Sequence, residues 1–297
     1  MNTQQESKDV YSIVTDRIIE LLQAGTVPWQ KPWTEAGMPQ NLISKRHYRG
    51  INVLLLNSMD YPDNLYLTWK QLKTINGSVK KGEKAHLVVF TKTEEKQKEN
   101  GEVQKVSILR YYKVFNVHQC SDIPAAFIPV KNEQPHETIK ECEAVVLNMP
   151  DPPGIEYKKK QAYYVPSTDI INMPKIGTFD TPQNYYGTLF HELIHSTGHQ
   201  KRLHRKEVSE NPAFGTEMYS LEELVAEMGS CYLNSYTGVP IEKMGNSAAY
   251  INGWLDIFKG DTRFVIKAAS KAQQAVEYIL RSGKEVEEET MTLEHAE

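Results

Sequence analysis

His191-Glu192-Leu193-Ile194-His195 places two imidazoles four residues apart with a carboxylate next to the first. On a helix, residues i and i+4 share a face, so both rings point to the same side. Two imidazole nitrogens converging from one face are ligands for a single Zn²⁺ at about 2.0–2.1 Å. Glu192 is then placed to act as general base on a metal-polarised water and to pass the proton to a leaving amine. That is the chemistry of a metal-dependent peptidase.

A catalytic zinc needs a third protein ligand. Histidine six residues after the second ligand would mark a metzincin, but that position is Lys201. His199 and His204 follow closely, with Gly198 interrupting the helix before His199. Tyr219-Ser220-Leu221-Glu222-Glu223-Leu224-Val225-Ala226-Glu227 offers carboxylates instead. Glu223 and Glu227 are one turn apart on a helix. One can bind the metal while the other accepts the N–H of a ligating imidazole or serves as the alternate ligand. Ser220-x-x-Glu223 also reads as a capping box, which would turn Glu223 back toward the chain. The residue that stabilises the developing oxyanion is left open among Tyr219, Tyr232, Tyr250 and His199.

These residues need a scaffold. Thr181 is a good N-cap, Pro182 suits the first helical position, and Gly198 can end the helix that carries both histidines. Further helices are predicted at about 10–22, 50–59, 137–148, 220–236, 247–258 and 262–282 from their apolar spacing. Strands are predicted at 65–69, 86–90 and 106–117. The charged stretch 91–105, with Asn100-Gly101, is expected to connect two of them as a long hairpin loop. Tyr157 and Tyr163–Val165 suggest a hairpin around Lys158-Lys159-Lys160, with another strand near 169–173.

The chain has 297 residues, 40% apolar and 24% charged, a soluble globular composition long enough for two domains. Proline-rich residues 118–136 are the expected linker. This divides an α+β domain at 1–130 from a second domain at 131–297, with an acidic tail over 284–297. No apolar run approaches the roughly 20 residues a membrane helix needs, and the polar start is not a signal peptide. Cys120, Cys142 and Cys231 are too few and too scattered for a disulfide framework, so free thiols and a cytoplasmic location are expected.

Charge is uneven. Residues 1–130 hold 17 Lys/Arg against 13 Asp/Glu, and residues 131–297 hold 17 against 25. In the first half Trp29, Lys31 and Trp33 share a proline-rich loop. Arg46, Tyr48 and Arg49 follow, then Lys80, Lys81 and Lys84, then Tyr112. Aromatic faces interleaved with cations suit single-stranded nucleic acid, where bases stack at about 1–3 kcal/mol each and cations follow the phosphates.

Trp29-Gln30-Lys31-Pro32-Trp33, Tyr48-Arg49-Gly50-Ile51-Asn52, Val79–Lys84 and Tyr112–Val117 together resemble the N-terminal domain of the ArdC antirestriction family. His191–His199, Arg202-Leu203 and Glu222–Glu227 resemble that family's zincin-like C-terminal domain, itself similar to SprT/Spartan proteases. The resemblance implies a DNA-binding first domain and a protein that shields incoming conjugative, plasmid-borne DNA from host restriction. It implies His191 and His195 as metal ligands, Glu192 as base, a carboxylate from 222–227 as third ligand, and Zn²⁺ or another divalent ion such as Mn²⁺ as cofactor. A small antiparallel sheet ahead of the HExxH helix is expected. The implied partners are single-stranded DNA and restriction enzymes or other DNA-bound proteins, with no membrane. The rival expectation is a non-catalytic module that covers DNA or occupies the restriction enzyme, its metal structural.

Overall fold

The computed structural model describes residues 9–30, 37–97, 103–128, 138–210, 212–213, 215–239 and 248–281. Helix α1 spans Val10–Gln23, capped by Asp9, whose side chain accepts from the Ser12 amide. Its apolar stripe, Val14, Ile18, Leu21 and Leu22, is buried. A short strand β1, Gln40–Asn41, and helix α2, Ile51–Asn57, come next. Strand β2, Leu65–Leu67, leads into helix α3, Trp69–Thr74, which begins with a capping box between Thr68 and Gln71.

Strands β3, Ser78–Val79, β4, His86–Gln97, β5, Val103–Asn116, and β6, Cys120–Ser121, complete the first half. The larger sheet has the order β1-β2-β5-β4, and β3 pairs with β6. The loop expected over 91–105 is instead mostly strand, since β4 and β5 pair in antiparallel register from His86↔Val114 out to Gln97↔Val103. Both faces of this ribbon's outer part are solvated, so its residues carry no apolar alternation to reveal a strand.

Helix α4, Thr138–Asn148, precedes a three-stranded sheet of β7, Gly154–Glu156, β8, Tyr163–Val165, and β9, Ile170–Asn172. Its order is β7-β9-β8. The hairpin expected around Lys158–Lys160 does not form. β8 pairs antiparallel with β9, whereas β7 pairs with β9 in parallel, so the sheet is mixed and not purely antiparallel.

Helices then dominate: α5, Pro182–Thr197; α6, Lys206–Ser209; α7, Glu217–Thr237; α8, Ala248–Gly260; and α9, Phe264–Leu280. The acidic tail expected over 284–297 lies outside the described residues, as does most of the linker expected over 118–136. Its described part, up to residue 128, holds β6 and two 3-10 turns. Among the described residues no helix is long and apolar enough to cross a membrane. None of the three cysteines is in a disulfide, and all three are buried.

One hydrophobic core takes side chains from both halves. Val14, Ile18, Trp29 and Leu54 join Phe190, Leu193, Val225, Phe258 and Ala268 in a single cluster. Helix α7 crosses α5 where Gly229 faces Ile194. A Cβ at Gly229 would come within 2.7 Å of the Ile194 side chain, so the glycine sets how close the two helices lie.

Candidate metal centre

Helix α5 starts where the sequence predicts, with the Thr181 hydroxyl accepting from the Asn184 amide and Pro182 in the first turn. Gly198 closes it. A Cβ there would meet Val208 of α6 at 2.4 Å, so glycine permits the close approach of α6. Helix α7 begins at Glu217, capped by the Thr216 hydroxyl, which accepts from the Tyr219 amide. Ser220 therefore lies inside the helix. The capping-box alternative does not form, and Glu223 is left to face α5.

Across the α5–α7 contact, His191, His195 and Glu223 each bring a ligand atom to within 4.8 Å of the others. The two Nε2 atoms are 3.1 Å apart. Each lies 3.7 Å from a Glu223 carboxylate oxygen. Two bonds of 2.0–2.1 Å at a tetrahedral angle separate the ligand atoms by about 3.3 Å, so this nitrogen–nitrogen–oxygen set fits one divalent ion.

The outer partner of His195 is Glu222, which the helix spacing of Glu223 and Glu227 leaves aside. Glu222 Oε1 lies 3.1 Å from His195 Nδ1. With Nδ1–H donating to that carboxylate, Nε2 keeps its lone pair for the metal. Arg205 fixes Glu222 from behind, with Nε donating to Oε2 at 2.9 Å and Nη2 to Oε1 at 2.6 Å. Arg205 also donates to the Thr197 hydroxyl and the Ile194 carbonyl. Burial pushes the Glu222 pKa up, but Arg205 and His195 outweigh it and hold the carboxyl below its ordinary value. The pattern that hides this pair is geometric. Glu222 neighbours Glu223 in sequence but points to a different part of α5, and Arg205 follows the helix by eight residues.

Glu227 lies outside that three-residue cluster. It accepts a 2.6 Å hydrogen bond from the Tyr250 hydroxyl, which itself accepts from Trp29 Nε1 at 3.1 Å and Gln30 Nε2 at 3.0 Å. Burial raises its pKa. His199 is buried outside the cluster, its Nδ1 accepting from the Lys201 amide. Tyr232 donates to the Gly50 carbonyl. Of the residues weighed for the oxyanion, Tyr219 is the one that lines the cleft.

That cleft, about 410 Å³, is bounded by His191, Glu192, His195 and Glu223 on its floor and by Tyr163, Tyr164 and Pro166 on one wall. Tyr163 and Tyr164 of this wall belong to β8, one of the two edge strands of its sheet. Arg202 ties the sheet to α5, donating to the Ser196 carbonyl at 2.7 Å and forming an ion pair with Asp169. Asp169 also accepts from the Tyr164 hydroxyl at 2.9 Å.

The residues expected to meet DNA separate into groups. Trp29 is buried against Trp254 and Phe258, with ring centroids 6.0 and 6.1 Å away, so it has no face for a base. Tyr48 is buried against Tyr66. Tyr112 is half-buried beside Phe90. Arg49 pairs with Glu277 of α9. Arg46, Lys80, Lys81 and Lys84 are exposed. Lys31 and Trp33 lie outside the described residues. Among the described aromatic residues of the first half, Trp69, with the Lys73 ammonium 3.8 Å from its ring centroid, and Tyr111 are exposed.

A family model for the zincin-like metallopeptidase domain matches residues 150–271, and one for the N-terminal domain of anti-restriction factor ArdC matches residues 8–115. The chain is 32% identical over 295 residues to protein y4eC of Sinorhizobium fredii (strain NBRC 101917 / NGR234), spanning 93% of each. It is 32% identical over 310 residues to the DNA primase TraC of Escherichia coli. That match covers 95% of this chain and 28% of the primase, so the chain spans little more than a quarter of that relative. Among solved structures it is similar to the antirestriction ArdC protein from the R388 plasmid. The metal-free form gives 35% identity and a TM-score of 0.74 over 92% of this chain and 97% of that one. The Mn(II)-bound form gives 34% and 0.73 over 94% and 100%.

Proposed function

The chain belongs to the ArdC antirestriction family, and from that premise we propose that it binds single-stranded DNA through its first half and hydrolyses peptide bonds in proteins held on that DNA. The observation that carries the peptidase part is the convergence of His191, His195 and Glu223 on one point, beside Glu192, in an open cleft walled by a strand edge. The family and the Mn(II)-bound relative support a divalent ion, Zn²⁺ or Mn²⁺. Held by His191, His195 and Glu223, that ion supplies Lewis-acid polarisation of a water and of the scissile carbonyl.

The chain's own residues supply the rest. Glu192 takes the proton from the attacking water and returns it to the departing amine. Glu222 and Arg205 keep the His195 ring in one tautomer and one orientation. The outer edge of β8 pairs with no strand among the described residues, so its backbone groups can hold an extended peptide across the cleft. Tethering to DNA raises the local concentration of DNA-bound proteins at this cleft, so location supplies much of the selectivity.

For DNA the supported surface is α3 with the turn after β3. Trp69 offers a base-stacking face steadied by Lys73, and Lys80, Lys81 and Lys84 are exposed nearby in sequence. The deciding experiment is Glu192→Gln in the full chain, assayed for proteolysis of a DNA-bound protein, for protection of DNA from a restriction enzyme, for metal content and for melting temperature. Loss of proteolysis and protection at unchanged metal content and melting supports the reading. Retained proteolysis removes Glu192 as the base. Protection that survives without proteolysis assigns the family role to binding alone.

A further inference from the structure

The basic turn between β7 and β8 is not used by the function just described. Lys158, Lys159 and Lys160 are all exposed. The turn is nevertheless built. Asn172 of β9, fully buried, accepts from the Lys158 amide at 3.1 Å and the Lys159 amide at 3.0 Å. Its Nδ2 donates to the carbonyls of Lys159 and Gln161. One buried amide thus commits its hydrogen-bonding capacity to fixing the shape of this turn.

The three ammonium groups are not equivalent. Lys158 is neutralised by Glu156, 2.6 Å away. Lys159 Nζ stands 5.6 Å from the ring centroid of Tyr163, which walls the cleft. Lys160 has no acidic partner among the described residues. Two cations are therefore held at one end of β8.

Direction follows from topology. β8 runs from this turn toward Val165. A peptide pairing antiparallel with its free edge runs the opposite way, so the C-terminal part of that peptide is carried onto the turn. The cleft floor is lined by Glu192, Glu207, Glu222 and Glu223; Arg205 and Lys271 compensate Glu222 and Glu207, and a divalent ion on Glu223 would offset the other two, so the turn carries the uncompensated charge beside the cleft. Acidic side chains on a peptide are attracted to the two cations at the turn.

We infer that Lys159 and Lys160 form a specificity subsite that selects peptide substrates with Asp or Glu shortly C-terminal to the segment paired with β8. This deepens the peptidase reading and rests on it. The partner chemistry is an acidic stretch of protein. A nucleic-acid strand is the less favoured occupant, because the two lysines stand at the end of a free strand edge, whose backbone groups pair with a peptide.

The test digests a mixed-sequence peptide library with the full-length, metal-loaded protein and reads cleavage sites by mass spectrometry. Asp and Glu are expected to be enriched about fivefold at one or more positions C-terminal to the scissile bond. K159Q/K160Q should abolish the enrichment, and K159R/K160R should restore it. Melting temperature and metal content report that each variant is folded. Cleavage with no acidic preference, or with a preference the double variant keeps, overturns the subsite and leaves the peptidase reading standing. No cleavage of any peptide overturns both. A double variant that loses affinity for single-stranded DNA at unchanged cleavage preference also overturns the inference and makes the turn a phosphate-binding element.

Discussion

Glu222 Oε1 lies 3.1 Å from His195 Nδ1, so a carboxylate from α7 orients the ring whose other nitrogen faces the metal position. The pair is deeply buried, and Arg205 supplies the compensating charge. Glu222→Gln should weaken metal affinity about 10–100-fold, since it removes an outer partner and not a ligand. Arg205→Met should cost about 3–5 kcal/mol of stability, because it leaves a buried carboxylate uncompensated. Metal titration calorimetry and chemical denaturation of the same two variants check these in turn.

Glu223 and Glu227 separate cleanly. Glu223→Gln should reduce metal affinity on the order of 100-fold or more by removing a ligand. Glu227→Gln should leave metal affinity within about twofold, because its carboxylate faces Tyr250 and Trp29. A metal-chelator competition assay reads both. Equal losses in the two variants would contradict the assignment.

These two glutamates also show what was legible in the sequence. The i,i+4 spacing of His191 and His195 declares a shared helix face, and the structure brings them together. The same spacing serves Glu223 and Glu227 equally. The choice between them depends on where α7 begins and how it crosses α5, and both are tertiary facts. Thr216 starts the helix a turn earlier than Ser220 would, and Gly229 sets the crossing against Ile194. Trp29 exposes the complementary limit. Composition counts an aromatic next to a lysine but does not say which face is covered, and here Trp254 and Phe258 cover it.

Acid should loosen the link between the sheet and α5. Burial works to raise the Asp169 pKa, but the hydrogen bonds from Arg202 and Tyr164 prevail and hold the carboxyl below its ordinary value. A carboxylate lowered on folding contributes stability that is present above the unfolded pKa and is lost as pH falls through the folded one. Melting temperature should therefore drop steeply below about pH 4, the ordinary aspartate range. Asp169→Asn should flatten that limb while lowering stability at neutral pH. Thermal melts from about pH 3 to 7 on both proteins decide it. Parallel curves would mean that other carboxylates govern the acid limb.

For DNA, Trp69→Ala should cost about 1–3 kcal/mol of single-strand affinity with little change in melting. Lys80→Gln with Lys81→Gln should instead reduce the slope of log affinity against log salt by about 0.7 for each phosphate no longer neutralised. Trp29→Ala should destabilise the fold by about 3–5 kcal/mol, with any loss of DNA binding following from unfolding. Fluorescence anisotropy across a salt series, paired with denaturation, separates these outcomes.

The shared core constrains what heredity can do with this chain. Two family models meet in it, yet Trp29 is seated among Trp254 and Phe258, Arg49 on Glu277, and the Tyr232 hydroxyl on the Gly50 carbonyl. A recombination event that exchanged the first half for a distant relative's would strand a tryptophan-sized hole between α7 and α8. The halves are therefore expected to be inherited together, and a change at Trp254 to be tolerated only alongside one at Trp29.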